Sequence, residues 1–243
     1  MTVGRRCHGR RYTHPATVRI TSVTHPDAPV TRQLAAVASE SQHPPEAQTA
    51  TFGMGCFWGP DARFGAMEGV VRTRVGYAGG TTPNPSYYSL GDHTEVIQLE
   101  FDPETLSYEE LLEVFWANHT WQSSSRKRQY RGVVLAHTDE QYETAQRTKD
   151  DLAERTGATV VSEIEVLESI TLAEDYHQKY ELRSTPVAGD ELADRYGDEF
   201  VDSTVVARLN GFVAGHGTEE QRRRALAALD VPATVVAELR RRF

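Results

Sequence analysis

Cysteine is scarce in this chain: two in 243 residues, Cys7 and Cys56. Two thiols make no disulfide framework, so a reducing compartment, the cytoplasm, is the expectation. Long apolar runs are missing as well. None approaches the length that spans a bilayer, and the N-terminus has no apolar segment of the secretory kind, so no membrane association is expected. Clustered basic charge is missing beyond the first residues. Residues 1–46 carry six Arg, no Lys and three acids, whereas residues 47–243 carry 20 basic and 32 acidic residues. An acidic region of that size argues against a nucleic-acid partner, which needs grouped Lys and Arg. There is no internal repeat. What is present, 39% hydrophobic and 25% charged residues, suits one ordinary domain with extensions.

The first 46 residues lack hydrophobic periodicity and read as a disordered leader or as the product of a start codon placed too early. Their Arg content also fits a transit peptide, although no amphipathic pattern is present. Their four histidines are spaced too irregularly for a metal site, and no metal is expected elsewhere. Residues 47–184 read as a catalytic domain. Residues 185–243 read as a helical extension that docks on the core or forms a lid.

The stretch Gly55-Cys56-Phe57-Trp58-Gly59 organises the rest. Ala50–Met54 reads as a short strand, and Pro60 and Asp61 suit the first turn of a helix. Cys56 then lies at a strand-to-helix corner, near backbone N–H groups that favour an anion, which lowers a thiol pKa. A buried lone cysteine is otherwise a small apolar side chain. The flanking glycines favour the reactive reading.

Further along, the helix after Cys56 is expected to reach Glu68 and stop at Gly69. Val70–Val75 and His93–Phe101 alternate as strands, with a turn-rich loop over Tyr77–Tyr88 between them. Ser107-Tyr108-Glu109-Glu110 is a capping box ahead of an apolar stripe at Leu111, Leu112, Val114 and Phe115. Val133–Ala136 is a strand. Thr138 caps a charged helix ending at Gly157, Val160–Val166 is another strand, and Ala173–Leu182 another helix. Glu191–Tyr196, Thr218–Leu229 and Val235–Leu239 read as helical. This order fits an α+β two-layer α/β sandwich, with helices on one face of a mixed sheet.

Gly55–Gly59 is followed by Val75-Gly76-Tyr77-Ala78-Gly79-Gly80 and Thr81-Thr82-Pro83-Asn84-Pro85. Glu95-Val96, Asn118-His119, Gln129-Tyr130-Arg131 and Ala173-Glu174-Asp175-Tyr176-His177-Gln178 come later. In this order the blocks, spanning roughly residues 48–183, resemble the peptide methionine sulfoxide reductase A family. The resemblance implies a ferredoxin-like core and reduction of methionine S-sulfoxide, protein-bound or free, through a cysteine sulfenic acid. It implies that Cys56 attacks sulfur, that Glu95 is the proton donor, and that Tyr77 and Tyr130 bind the sulfoxide oxygen. Phe57 and Trp58 would hold the substrate methyl group, and Asp175 and His177 would support the pocket. Core packing remains open for Trp58 and His177. No bound cofactor is implied; an external thiol, such as thioredoxin, glutaredoxin or a low-molecular-weight thiol, would supply electrons, and a monomer is expected.

Two departures from the family stand out. The loop Thr120–Arg128 holds no acid where the family carries an Asp, which suggests altered specificity, toward free methionine sulfoxide for example. No cysteine follows Cys56 to resolve a sulfenic acid, so the reductant must act on it directly. Two alternatives are a Cys–His hydrolase using His119, His137 or His177, and a catalytically idle sulfoxide-binding module.

Overall fold

In the computed structural model, which describes residues 46–228 and 231–242, the strand leading to Cys56 lies inside a six-stranded sheet. The strands are β1 (Gln48–Met54), β2 (Val70–Ala78), β3 (Thr94–Phe101), β4 (Gly132–Ala136), β5 (Glu163–Val166) and β6 (Ile170–Leu172). They lie in the order β5-β4-β1-β3-β2-β6, with β4 and β5 parallel and the other pairs antiparallel. The expected leader, except for Glu46, lies outside the described residues, and Cys7 lies there too.

Alternation along the strands sorts side chains between two faces. Ala50 and Phe52 of β1, Val75 and Tyr77 of β2, and Ile97, Leu99 and Phe101 of β3 enter the main core. Over this face pack α1 (Trp58–Gly65), α2 (Tyr108–Ala117) and α3 (Asp139–Thr156), contributing Phe64, Leu111, Phe115 and Leu152. The other face carries a smaller cluster of Ala78, Val96, Val133 and Leu135. β5 and β6 sit at opposite edges yet are joined by residues 167–169 alone, so the sheet curls to bring those edges together, and Leu167 and Ile170 pack on that cluster. The helices thus lie on one face of a mixed sheet, as the element order implies.

Local signals were accurate where they were strong. Ser107 and Glu110 form a reciprocal capping box, the Thr138 hydroxyl accepts from the Gln141 N–H, and Gly157 ends α3 in the left-handed conformation. Three expectations need correction. The strand expected over Val160–Val166 is confined to Glu163–Val166. The helix expected to reach Glu68 ends at Gly65: the Met67 N–H bonds three residues back to Phe64 O, a tighter turn, and the Arg208 guanidinium donates to the carbonyl groups of Met67 and Val70 just beyond it. The single helix expected over Ala173–Leu182 is a 3₁₀ turn (Asp175–His177) followed by the one-turn α4 (Tyr180–Arg183), with Lys179 between them at φ 54°. Tertiary partners outcompete the helix there. The Gln178 side-chain amide accepts from Val75 N–H and donates to Val75 O, imitating a neighbouring strand, while Lys179 N–H donates to Asp61.

Beyond α4 come α5 (Ala188–Tyr196), α6 (Thr204–Val213), α7 (Glu219–Ala228) and α8 (Ala233–Arg242). Leu192, Phe200, Val206, Leu209 and Leu239 build a second core with Ala66 and Leu182. Of the two readings of this region, docking describes its packing. α6 lies against α1 at backbone distance: a Cβ on Gly65 would stand 2.5 Å from Ala207 O, and one on Gly211 would stand 2.4 Å from Ala62 O. Only glycine permits that approach. A buried network locks it. Asp61 on α1 accepts from Thr73 Oγ1 (2.6 Å), Lys179 Nζ (3.2 Å) and Asn210 Nδ2 (3.2 Å).

Candidate active site

At the end of β1, Gly55 takes φ +88°, a backbone state that L side chains rarely adopt, and swings the chain out of the sheet. Cys56 follows, half-buried, one residue before the N-cap of α1. The N-cap itself is Phe57, whose N–H is not needed by the helix. It donates instead to Glu95 Oε2 at 3.2 Å. Glu95 reaches that point from β3. Its directly opposite partner on β2 is Tyr77, and cross-strand neighbours share a face, so both side chains enter the same end of the core as Phe57.

Glu95 is 1% exposed. Burial penalises its charged form and pushes its pKa up to about 7, against the opposing pull of hydrogen bonds from Gln129 Nε2 (2.7 Å) and Phe57 N–H. A carboxyl group in this state holds a proton near neutrality and can give it up, which is the requirement for general-acid work. Gln129 is held in place by the 3₁₀ turn Arg128–Tyr130, whose Arg128 carbonyl accepts from Thr94 Oγ1 on β3. The same turn brings half-buried Tyr130 to this end of the sheet.

The walls are aromatic. Phe57 packs on Tyr77 (6.0 Å between centroids) and on His177 (5.1 Å). The Trp58 indole stacks on Tyr180 at 3.6 Å, and its Nε1–H donates to His177 Nδ1 at 3.2 Å. Burial lowers the His177 pKa, so the ring is neutral and, with Nδ1 accepting, carries its proton on Nε2. That Nε2 is buried without a hydrogen-bond partner, 3.9 Å from Glu174 Oε2.

Sequence reasoning named Cys56, Glu95, Tyr77, Tyr130, Phe57, Trp58, Asp175 and His177. The fold brings Phe57, Glu95, Tyr77, Trp58 and His177 into one contact network beside Cys56, with two differences. Asp175 points out to solvent; the acid that faces the aromatic cluster is its neighbour Glu174, which accepts from Tyr77 Oη (2.8 Å) and Tyr87 N–H (3.0 Å). Desolvation works against the Glu174 anion, but hydrogen bonds from its own N–H, from Tyr87 and from Tyr77 outweigh it and lower its pKa. Tyr77 is likewise committed: its single hydroxyl proton goes to Glu174, and burial with that bond raises its pKa. Glu174, Gln129 and Tyr87 were not singled out from the sequence, although each lies in a block quoted for the resemblance or next to one.

Neither remaining histidine considered as a base is placed for a hydrolase. His119 Nδ1 donates to Phe115 O and its Nε2 meets Ser162 Oγ, both at 2.6 Å; His137 Nε2 meets Thr51 Oγ1 at 2.9 Å. Among the described residues no group of three or more His, Cys, Asp or Glu side chains could hold a metal.

A family model described as peptide methionine sulfoxide reductase matches residues 48–198. The chain belongs to that family. A peptide methionine sulfoxide reductase from Drosophila melanogaster is 43% identical over 176 residues, covering 71% of each chain. Two solved peptide methionine sulfoxide reductase folds are similar. The reduced form of Mxr1 from Saccharomyces cerevisiae has a TM-score of 0.56 at 25% identity, over 61% of this chain and 91% of that one. Methionine sulfoxide reductase A of Corynebacterium diphtheriae has a TM-score of 0.53 at 29% identity, over 58% of this chain and 76% of that one. As a peptide methionine sulfoxide reductase, the protein is an oxidoreductase that reduces methionine S-sulfoxide. No described helix is long and apolar enough to cross a membrane.

Proposed function

We propose that the reduction runs through Cys56 and Glu95. The Cys56 thiolate attacks the sulfoxide sulfur while Glu95 transfers its proton to the sulfoxide oxygen. The S–O bond to substrate breaks and an S–O bond to Cys56 forms. The products are the thioether, a Cys56 sulfenic acid and the Glu95 carboxylate; substrate sulfur gains two electrons and cysteine sulfur loses them. Phe57 and Trp58 receive the methyl group, and Tyr130, together with Tyr77 once it releases Glu174, holds the oxygen. His177 supports this wall by fixing Trp58 through the indole hydrogen bond.

Cys56 is the only cysteine among the described residues, so the sulfenic acid is resolved from outside. A first external thiol forms a mixed disulfide and releases water, and a second regenerates Cys56. Thioredoxin, glutaredoxin or a small thiol would serve, and such a cycle suits a reducing compartment such as the cytoplasm. The single observation carrying this reading is the buried, near-neutral Glu95 bonded to the N–H of the residue next to Cys56. Its test is intact-protein mass spectrometry after mixing the reduced enzyme with an S-sulfoxide substrate in the absence of thiol. One oxygen gained at Cys56 is expected. An acyl adduct, or an unchanged mass, would defeat the reading.

A further inference from the structure

Beside the cleft end, the chain displays aromatic surface that the chemistry above does not use. Ser86 and Ser89 bond to each other through both N–H groups (3.3 and 3.0 Å), closing a two-residue turn with Tyr87 and Tyr88 at its tip. Tyr87 turns inward, its ring 4.7 Å from His177 and its N–H on Glu174. Tyr88 turns outward. It is 84% exposed, yet its position is fixed by the closed turn and by an edge contact with Tyr87 at 5.4 Å. Tyr176 packs on the same imidazole, 50% exposed, its ring 4.0 Å from His177. Tyr88 contacts Tyr87, and Tyr87 and Tyr176 share His177, so one chain of ring contacts links the two exposed phenols.

Tyr88 and Tyr176 are among the exposed large hydrophobic side chains of the described residues, and both belong to the ring cluster around His177. Tyrosine gives rigid, amphipathic contact area with little side-chain entropy to lose. Phe57 and Trp58 lie against the same His177 ring, so the rim is continuous with the site that receives the sulfoxide. A free amino acid filling that site would leave the rim untouched. A polypeptide advances roughly 3.3–3.6 Å per residue, so a neighbour one or two positions along would lie over it.

We propose that Tyr88 and Tyr176 form a rim that grips an apolar or aromatic side chain flanking the oxidised methionine in a polypeptide. Within polypeptide substrates this chain then favours those in which an apolar residue flanks the oxidised methionine. The inference rests on the assignment of the cleft end around Cys56 as the reaction site.

The test compares kcat/KM on three S-sulfoxides: the free amino acid, a blocked pentapeptide with Gly on both sides, and the same peptide with Phe on both sides. The wild-type enzyme should prefer the Phe peptide to the Gly peptide by about tenfold, the worth of one good aromatic contact. Tyr88→Ser and Tyr176→Ser should each collapse that preference toward one, and Tyr88→Phe should keep it. Equal rates on both peptides in the wild type would overturn the rim while leaving the reaction site standing, as would variants that slow all three substrates alike. No turnover of any substrate would overturn the reaction site and the rim with it.

Discussion

Phe57 and Glu95 are 38 residues apart in the chain and joined by one hydrogen bond, from the Phe57 N–H to Glu95 Oε2 at 3.2 Å. The residue after the cysteine is thereby tied to a carboxyl group on another strand. The Cys56 loop and the Glu95 carboxyl group cannot drift apart without breaking a buried bond.

Glu95→Gln should slow sulfoxide reduction by roughly 10²–10⁴, the usual range for a general acid. Only the protonated carboxyl can donate, and its pKa stands at about 7. The ratio of wild-type to variant rate should therefore fall as pH rises through about 7. Single-turnover formation of methionine between pH 5.5 and 8.5 reads this (a window of roughly one and a half units either side of that pKa). A ratio independent of pH would remove Glu95 from the step.

The same carboxyl group leaves a mark on stability. Its folded pKa is raised from 4.5 to about 7, so the folded state holds the proton more tightly than the unfolded chain. That contribution is complete at pH values below the ordinary one and is lost as pH rises through about 7. It amounts to about 3 kcal/mol at most. Urea unfolding at both ends of the window should show Glu95→Gln gaining on the wild type at the alkaline end.

Gln129→Met keeps the length of the side chain and removes a donor that favours the Glu95 anion. The Glu95 pKa should then climb further, carrying the alkaline limb of the pH–rate profile to higher pH. A limb that stays in place would mean the amide does not tune the acid.

Cys56→Ser should abolish turnover. Cys7→Ser should leave turnover with dithiothreitol intact, because a cycle with one reacting cysteine has no use for a second. Loss of activity in the Cys7 variant, measured as methionine released per enzyme, would require an internal resolving thiol.

Lys179 is fully buried, and burial lowers its pKa against the pull of Asp61. Lys179→Met leaves the Asp61 carboxylate buried without its cation and should cost about 3–5 kcal/mol in urea unfolding. The double change with Asp61→Asn should recover part of that loss, since the two residues act as a pair.

Where local chemistry dictates structure, the sequence could be read directly. The cysteine corner, the alternating β3 and the capped starts of α2 and α3 all depend on residues within a few positions of one another. Reading failed where distant partners decide. Gln178 and Lys179 belong to a helix-like run, but their bonds to Val75 and Asp61 hold the chain out of a helix. The helix α6 went unread because Val205, Val206, Leu209, Gly211 and Phe212 are buried around most of its circumference. No single apolar stripe remains to count, and Gly211 has poor helix propensity. Asp175 and Glu174 differ for another reason: Asp175 is exposed, whereas Glu174 accepts from Tyr77. Two adjacent acids look alike in a sequence, and only the turn decides which meets Tyr77.

The glycine-to-backbone seam between α1 and α6 means that the segment following Cys56 leans on residues far downstream of every signature block. A chain stopped at Ser184 would strip Asn210 from Asp61 and open the flank of α1, Ala62 and Ala66 included, to water. α6 thus braces the helix that follows Cys56, and a shortened protein would keep its most recognisable portion while losing that brace.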